Sequence, residues 1–148
     1  MNLNEALKTL ETAGYTLINE AISGSRNFVC YSIYGDRAHS DPESAYIYAI
    51  SQNKQDIIDA INNWFSAGPC DIWFCGVIEV DDATAEHFKE FGKEDIADTP
   101  YCQELMGYIN NPLIEYSGDD GFEFYDENDE EGSMRRVRRM VSNDISAL

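Results

Sequence analysis

Acidic and aromatic side chains are mixed between residues 115 and 131, and this mixture is the strongest candidate for chemistry in the sequence. The segment contains nine acids and no basic residue. Clustered carboxylates attract and steer basic partners, and aromatic side chains are typical anchors of protein interfaces. We therefore predict a partner-binding surface made of Asp119, Asp120, Glu123, Asp126, Glu127, Asp129, Glu130 and Glu131, with Tyr116, Phe122, Phe124 and Tyr125 as its apolar anchors.

The four cysteines invite comparison with a metal site, but their spacing argues against one. Cys70 and Cys75 are the only close pair, and Cys30 and Cys102 lie far away in the chain. Residues an odd number apart in a strand point to opposite faces of the sheet, so Cys70 and Cys75 could not bind one ion. We predict four unpaired, buried thiols that pack as small apolar groups, with neither a metal nor a cofactor.

The acidic run that begins at Asp126 partly resembles a calcium-binding loop. An EF-hand needs oxygen ligands at positions 1, 3 and 5, glycine at position 6 and glutamate at position 12. Asp126, Asn128 and Glu130 fill the first three of these positions. Glu131 stands where the glycine is required and Val137 where the glutamate is required, so a dedicated calcium site is not expected.

One polar loop carries side chains that could perform acid–base chemistry. Arg37, His39 and Asp41 lie within five residues of one another, and such a set could form a small acid–base or phosphate site. The sequence has no glycine-flanked nucleophile motif and no glycine-rich phosphate loop, both of which would strengthen an enzymatic interpretation. We keep an enzyme that uses the 37–41 loop as an alternative, and expect an ordinary polar loop.

Net charge narrows the possible partners. The chain has 28 acidic and 10 basic residues, giving a net charge of -18, and residues 79–131 alone hold eighteen of the acids with only two lysines. Phosphate backbones and anionic membrane surfaces attract clustered Lys and Arg, so we expect neither nucleic acid nor a membrane to bind directly. Residues 135–139 supply four arginines, and we expect them to pair with the acidic segment, within the chain or between subunits.

Several elements must position these residues. The length of 148 residues predicts a single domain over residues 1–148. Capping and apolar spacing predict helices at residues 2–14, from residue 53 to Gly68, at 82–91 and from Pro100 to residue 109. Branched and aromatic runs predict a β-hairpin of strands at residues 15–22 and 27–34, although residues 17–22 could also form a helix. A further run predicts a strand at residues 70–80, central in its sheet.

The remaining segments leave alternatives or form the ends of the domain. Residues 44–51 alternate like a strand, although Asp41 and Pro42 would also suit a helix start, and we favour the strand. Residues 113–117 and 122–125 are predicted to form a short hairpin. The acidic loop 115–131 and a basic C-terminal helix at 133–148 are expected as appended elements. The apolar spacing of that helix also suits a short seam through which two copies could associate.

These predictions give an α+β fold: a mostly antiparallel sheet of about four to six strands, with helices packed mainly on one face. In net charge the chain resembles DNA-mimic inhibitors of phages and plasmids and immunity proteins that block nuclease toxins. That resemblance covers charge alone. It implies a non-enzymatic inhibitor or immunity-type protein whose acidic face, from Glu79 to Glu131, occupies a basic, nucleic-acid-binding site on a partner.

Two further expectations complete the analysis. Self-assembly, in which the arginine-rich tail of one copy pairs with the acidic loop of the next, is the alternative from a different functional class. The first five residues lack the basic and apolar regions of a secretory signal, and no apolar run approaches a membrane span of roughly 18 residues. We therefore expect a cytoplasmic protein.

Overall fold

In the part of the chain that the structure describes, four antiparallel strands form one sheet. The structure is a computed structural model that describes residues 26–68, 70–92 and 94–148. The strands are β1 (Asn27–Tyr34), β2 (Ser44–Ser51), β3 (Trp73–Val80) and β4 (Ile114–Ser117), and their order in the sheet is β2-β1-β3-β4. The α+β class and the antiparallel sheet are confirmed, as are the strand at residues 44–51 and the central position of β3.

Within residues 26–148, apart from the undescribed positions 69 and 93, four α-helices and one 3-10 helix connect or flank these strands. They are α1 (Lys54–Ser66), α2 (Asp82–Lys89), α3 (Pro100–Ile109), the 3-10 helix (Gly118–Phe124) and α4 (Glu130–Ser146). Asn53 caps α1 by accepting a hydrogen bond from Gln55 N, and Asp81 caps α2 by accepting one from Thr84 N. The helix and strand predicted at residues 2–14 and 15–22 lie outside the described residues.

The strands divide their side chains between two cores. On β1, Phe28 and Cys30 pack with α1 and α4, while Val29, Tyr31 and Ile33 pack with α2 and α3. We call these sides the α1/α4 face and the α2/α3 face. The helices therefore cover both faces rather than mainly one, because β1 and β3 are apolar on both sides and each side needs a cover.

The C-terminal helix belongs to the core. Val137, Val141 and Ile145 of α4 are buried, and they pack with residues of α1 and the sheet. Their apolar stripe is consequently covered within the chain and does not form an exposed seam for a second copy. β4 pairs with β3, so residues 115–131 and α4 are integral parts of the domain rather than appended elements.

The predicted hairpin at residues 113–125 is wrong in its second half. Residues 114–117 form β4, but residues 122–125 lie in or directly after the 3-10 helix. Aromatic content favours a strand there, and local hydrogen bonding overrides it.

Among the described residues, no helix is long and apolar enough to cross a membrane.

Candidate partner-binding surface

The 3-10 helix carries the first of the predicted binding residues. Asp120 holds its first turn by accepting a hydrogen bond from Ser117 N at 2.6 Å. Gly118 approaches the backbone of Cys70 so closely that a Cβ at this position would overlap the Cys70 carbonyl. Only glycine fits such an approach. The 3-10 helix is therefore fixed against the segment that precedes β3.

Hydrogen bonds tie the loop after the 3-10 helix to α4. Arg136 donates from Nη2 to the carbonyl oxygen of Phe124 at 2.9 Å. Asp126 N donates to Ser133 Oγ at 2.8 Å, and that hydroxyl in turn donates to the carbonyl oxygen of Asp129 at 2.9 Å. These bonds place residues 124–129 over the start of α4, so the predicted acidic loop is a structured turn.

The eight predicted acids separate into structural and available carboxylates. Asp120 holds the 3-10 helix, and Asp129 caps α4 by accepting a hydrogen bond from Gly132 N at 3.0 Å. Asp129 also lies 4.0 Å from Arg136, the one ion pair that these eight acids make among the described residues. Seven of the eight are exposed, and Asp120 is half-buried. The carboxylates that are exposed and hold no cap or turn are those of Asp119, Glu123, Glu127, Glu130 and Glu131.

The four predicted aromatic anchors differ in accessibility. Phe122 and Tyr125 are 62% and 53% exposed, and their ring centroids lie 6.5 Å apart in an edge-to-face arrangement. Phe124 is half-buried against the core. Tyr116 is buried and donates its hydroxyl hydrogen to Asp144 at 2.8 Å. The prediction of Tyr116 as a surface anchor is therefore wrong, because it points inward from β4; burial and Asp144 raise its pKa.

An apolar cavity of about 220 Å³ opens beside the two exposed aromatic residues. Its apolar side chains are those of Phe122 and Tyr125, together with Phe65 from α1 and Met134 and Val137 from α4. Glu130 lies at its edge. This combination of a small apolar cavity, exposed aromatic rings and the Glu130 carboxylate suits an apolar side chain presented by a basic partner.

The acids from Glu79 to Glu131 do not share one surface. Those on α2, α3 and residues 90–98 lie on the α2/α3 face, whose core includes Phe88, Ile96 and Leu105. Those after β4 lie with α4 on the other face. The single acidic face expected from the sequence is therefore wrong, because the sheet separates the two groups.

In the 37–41 loop, which is the alternative candidate for acid–base chemistry, the histidine contacts a residue outside the loop. His39 Nε2 lies 2.7 Å from Glu115 Oε1 and is not paired with Asp41, and Tyr31 donates its hydroxyl hydrogen to the same carboxylate. Arg37 and Asp41 are both exposed. Burial, followed by the hydrogen bond to Glu115, raises the pKa of Tyr31.

The cysteines are free, and three of them are buried as predicted. Cys70 is exposed, which corrects its predicted burial, because it lies before β3 begins rather than within the strand. Cys30 and Cys75 contact each other across β1 and β3 with their sulfur atoms 3.6 Å apart. Burial raises the pKa of the Cys75 thiol well above its ordinary value. Among the described residues, no group of three or more His, Cys, Asp or Glu side chains is placed to hold a metal.

Sequence reasoning missed the side chains that complete the cavity. Phe65 and Met134 belong to the apolar stripes of α1 and α4, which predict burial but not that these helices meet beside residue 122.

Comparisons with protein-family models, with curated proteins and with solved structures give no significant match for this chain. The surface therefore has to be interpreted from its own geometry and charge.

Proposed function

We propose that this protein is a non-enzymatic binding module, and that the surface formed by residues 118–131 occupies a basic site on a partner protein. The observation that carries the proposal is the apolar cavity bordered by Phe122 and Tyr125, the two most exposed large apolar side chains described. Exposed aromatic rings beside a cavity expel water on contact and commonly supply most of the binding energy of an interface.

The surrounding charge defines the chemistry of the partner. Glu123, Glu127, Glu130 and Glu131 are exposed and make no ion pair among the described residues. Carboxylates in this position attract a positively charged surface and repel an acidic one. The partner we propose carries Lys and Arg around a protruding apolar side chain, which enters the cavity while the basic groups meet the carboxylates.

Proteins that handle nucleic acid present such basic surfaces, because phosphate binding requires clustered Lys and Arg. We therefore propose an inhibitor or immunity-type role in the cytoplasm, in which this surface competes with nucleic acid for the partner's site. Any imitation of DNA is local to residues 118–131, since the remaining acids of residues 79–131 lie on the other face of the sheet or serve other contacts.

Capture from source-cell lysate at about 50 mM and 500 mM salt tests this proposal when wild type and variants are compared side by side. We expect the wild type to retain a basic, nucleic-acid-handling protein at low salt only. Phe122→Ala combined with Tyr125→Ala should reduce the affinity for that protein by more than tenfold, because an interface hot spot contributes about 2 kcal/mol or more.

Matched variants separate this surface from general effects. Leu113→Ala removes the third exposed large apolar side chain among the described residues (39%), which lies outside the cavity. Glu90→Gln with Glu94→Gln removes two exposed charges on the α2/α3 face. Both controls should bind as the wild type does. Equal capture by all variants, or no basic partner at either salt concentration, would contradict the proposal.

Self-assembly is the second candidate, and one observation favours it. Arg135, Arg138 and Arg139 are exposed on α4, and among the described residues the tail makes its single ion pair through Arg136. The three arginines therefore remain available to the acidic surface of another copy. A mass that rises with protein concentration and falls to that of a monomer in high salt would favour assembly over a separate partner.

A further inference from the structure

A second concave surface lies between β2 and the outer side of α1. It is a groove of about 690 Å³, within the range of roughly 300–1,000 Å³ that is typical of small-molecule sites. None of its lining residues belongs to residues 118–131, although Gly68 at the end of α1 borders both cavities. The groove is thus separate from the surface proposed to bind a protein partner.

Aromatic rings form the walls of this groove. Tyr46, Tyr48, Trp64 and Trp73 all line it, and the rings of Tyr46 and Trp73 are nearly parallel, with centroids 6.4 Å apart and an interplanar angle of 23°. Tyr34 supports Trp73 from the neighbouring strand at a centroid distance of 4.8 Å. Faces of Trp and Tyr attract cations through the negative charge density above the ring.

Negative charge borders the same groove from α1. Asp56 and Asp59 line it one helical turn apart, and both are exposed. Within the described residues, their hydrogen-bond donors are neutral: Ser51 Oγ donates to Asp56 at 2.6 Å, and Gln55 Nε2 donates to Asp59 at 3.0 Å. Among the residues that the structure describes, no Lys, Arg or His lines the groove, so a bound cation would relieve the repulsion between the two carboxylates.

The end of α1 adds to this field. Ala67 and Gly68 line the groove directly after the helix, and the last turn of α1 contains no basic residue. The carbonyl groups at a helix C-terminus carry partial negative charge, which favours a nearby cation. Two carboxylates, the aromatic faces and the helix end therefore all favour the same sign of charge.

One buried hydroxyl group lies within the groove. Ser32 lines it and is 1% exposed, and its Oγ has no hydrogen-bond partner among the described residues. A buried polar atom without a partner is uncommon in folded proteins and calls for an explanation. A polar atom of a ligand in the groove could bond to this hydroxyl.

We propose that the groove binds small organic cations: a primary or quaternary ammonium, or a guanidinium group, attached to an apolar body that carries a polar atom. The charged group lies among Asp56, Asp59 and the aromatic faces. The body packs on Trp64 and Trp73, and its polar atom bonds to Ser32 Oγ. We expect anionic ligands to bind poorly, since the described lining of the groove offers them no cation.

Tryptophan fluorescence of the full chain provides the first test, because both tryptophans of the sequence line this groove. Tyramine and phenethylamine are the cationic probes, and 2-phenylethanol and phenylacetate are their neutral and anionic matches. We expect saturable changes with the two amines and at least tenfold weaker binding of the other two. No saturable change with either amine, or equal binding of 2-phenylethanol, would overturn the proposal.

A double variant in the groove and a matched double variant on the other face of the sheet locate the binding site. Asp56→Asn combined with Asp59→Asn should weaken binding of phenethylamine about tenfold, as expected when two partly exposed charge contacts are lost. Glu90→Gln with Glu94→Gln makes the same change in net charge on the other face and should alter the affinity less than twofold. Equal losses in the two double variants would mean that general attraction, not the groove, binds the amine.

The role of Ser32 has its own comparison. Ser32→Ala removes a hydroxyl that has no hydrogen-bond partner in the described part of the chain, so the fold should be retained. We expect this variant to weaken binding of tyramine several-fold while leaving phenethylamine unchanged, since only tyramine carries a hydroxyl group on its ring. An equal effect on both amines would overturn the proposed hydrogen bond.

Discussion

The two faces of the sheet are both rich in acids, but they use them differently. On the α2/α3 face, Asp81 caps α2, Glu86 pairs with Lys89 at 2.9 Å, and Glu104 lies 2.9 Å from His87. The hydrogen bonds from Thr84 lower the pKa of Asp81. Many carboxylates of this face thus meet donors within their own surroundings.

On the α1/α4 face, several carboxylates instead surround concave apolar surfaces. Glu130 borders the cavity of Phe122 and Tyr125, and Asp56 and Asp59 border the aromatic groove. Net charge alone therefore does not single out a candidate surface. The candidates are carboxylates that lack a nearby cation among the described residues and lie beside aromatic side chains, because apolar contact and charge attraction both become favourable when a partner of the opposite sign arrives.

The largest losses in the free energy of unfolding should come from truncating buried side chains in the core on either side of the sheet. Ile61 on the α1/α4 face and Leu105 on the α2/α3 face are both fully buried. Replacing either with alanine should lower the free energy of unfolding by about 2–5 kcal/mol, through lost apolar contact and the cavity left behind.

The same pair tests whether the faces unfold together. β1 and β3 contribute side chains to both cores, so Leu105→Ala should shift denaturant unfolding equally by circular dichroism and by fluorescence of Trp64 and Trp73. A fluorescence transition that stays at the wild-type midpoint while the dichroism transition moves would show that the faces unfold independently.

Replacing a glycine with alanine should change the free energy of unfolding in opposite directions on the two faces. Gly118→Ala forces the 3-10 helix away from Cys70, and we expect a loss of about 1–3 kcal/mol, as for other overpacked sites. Gly107 lies within α3 with open space where a Cβ would be. Gly107→Ala should therefore raise the free energy of unfolding by about 0.5–1 kcal/mol, which denaturant titration measures.

The consequences for binding sharpen this contrast. Displacement of the 3-10 helix moves Phe122, so Gly118→Ala should also weaken capture of the basic partner, whereas Gly107→Ala should not. A stable Gly118→Ala variant with unchanged binding would separate the position of the 3-10 helix from the function of its aromatic residues.

Helix caps give a smaller and more symmetrical comparison. Asp129 caps α4 and Asp81 caps α2, and alanine at either position should cost about 1 kcal/mol of unfolding free energy. Asp129→Asn keeps a capping oxygen and removes the charge. We expect Asp129→Asn to retain stability and to weaken partner binding slightly; if it is as unstable as Asp129→Ala, the charge rather than the hydrogen bond supports the cap.

The sequence predicts elements well where one local pattern is strong. Asn53 followed by the apolar stripe of Ile57, Ile61 and Trp64 predicts α1, and the helix starts predicted at residue 82 and at Pro100 agree with those of α2 and α3. These signals depend on neighbours within a few residues. The 3-10 helix could not be predicted in this way, since its position depends on a contact between Gly118 and Cys70, far apart in the chain.

Site prediction follows the same division. The acids and exposed aromatic residues of residues 119–131 are visible in the sequence, but the cavity between them requires Phe65 from α1 and Met134 from α4. The aromatic groove is harder still, because Trp64 and Trp73 meet only once β2, β3 and α1 are assembled. The burial of Tyr116 likewise depends on its pairing in β4, opposite Cys75.

The smallest expected change in stability concerns a carboxylate on the α2/α3 face that accepts hydrogen bonds from the backbone. Asp95 Oδ1 accepts hydrogen bonds from Ala97 N at 2.9 Å and Ala45 N at 3.0 Å. Burial acts to raise its pKa, but these hydrogen bonds outweigh burial and lower it. Asp95→Asn keeps an acceptor oxygen, so comparison with the wild type isolates the effect of the charge.

Because the folded state lowers the pKa of Asp95, its charge stabilises the protein at pH values above the unfolded pKa of about 3.9. That contribution is lost as the pH falls through the lower folded-state pKa. Between pH 5 and 8, we expect the free energy of unfolding of the wild type to be higher than that of Asp95→Asn by less than about 1 kcal/mol, since solvent screens an exposed carboxylate. The difference measured by denaturant unfolding should shrink steadily below pH 4. A difference that grows in acid would mean that the ionised carboxylate destabilises the fold, and that the acids of the α2/α3 face are as uncompensated as those around the cavity.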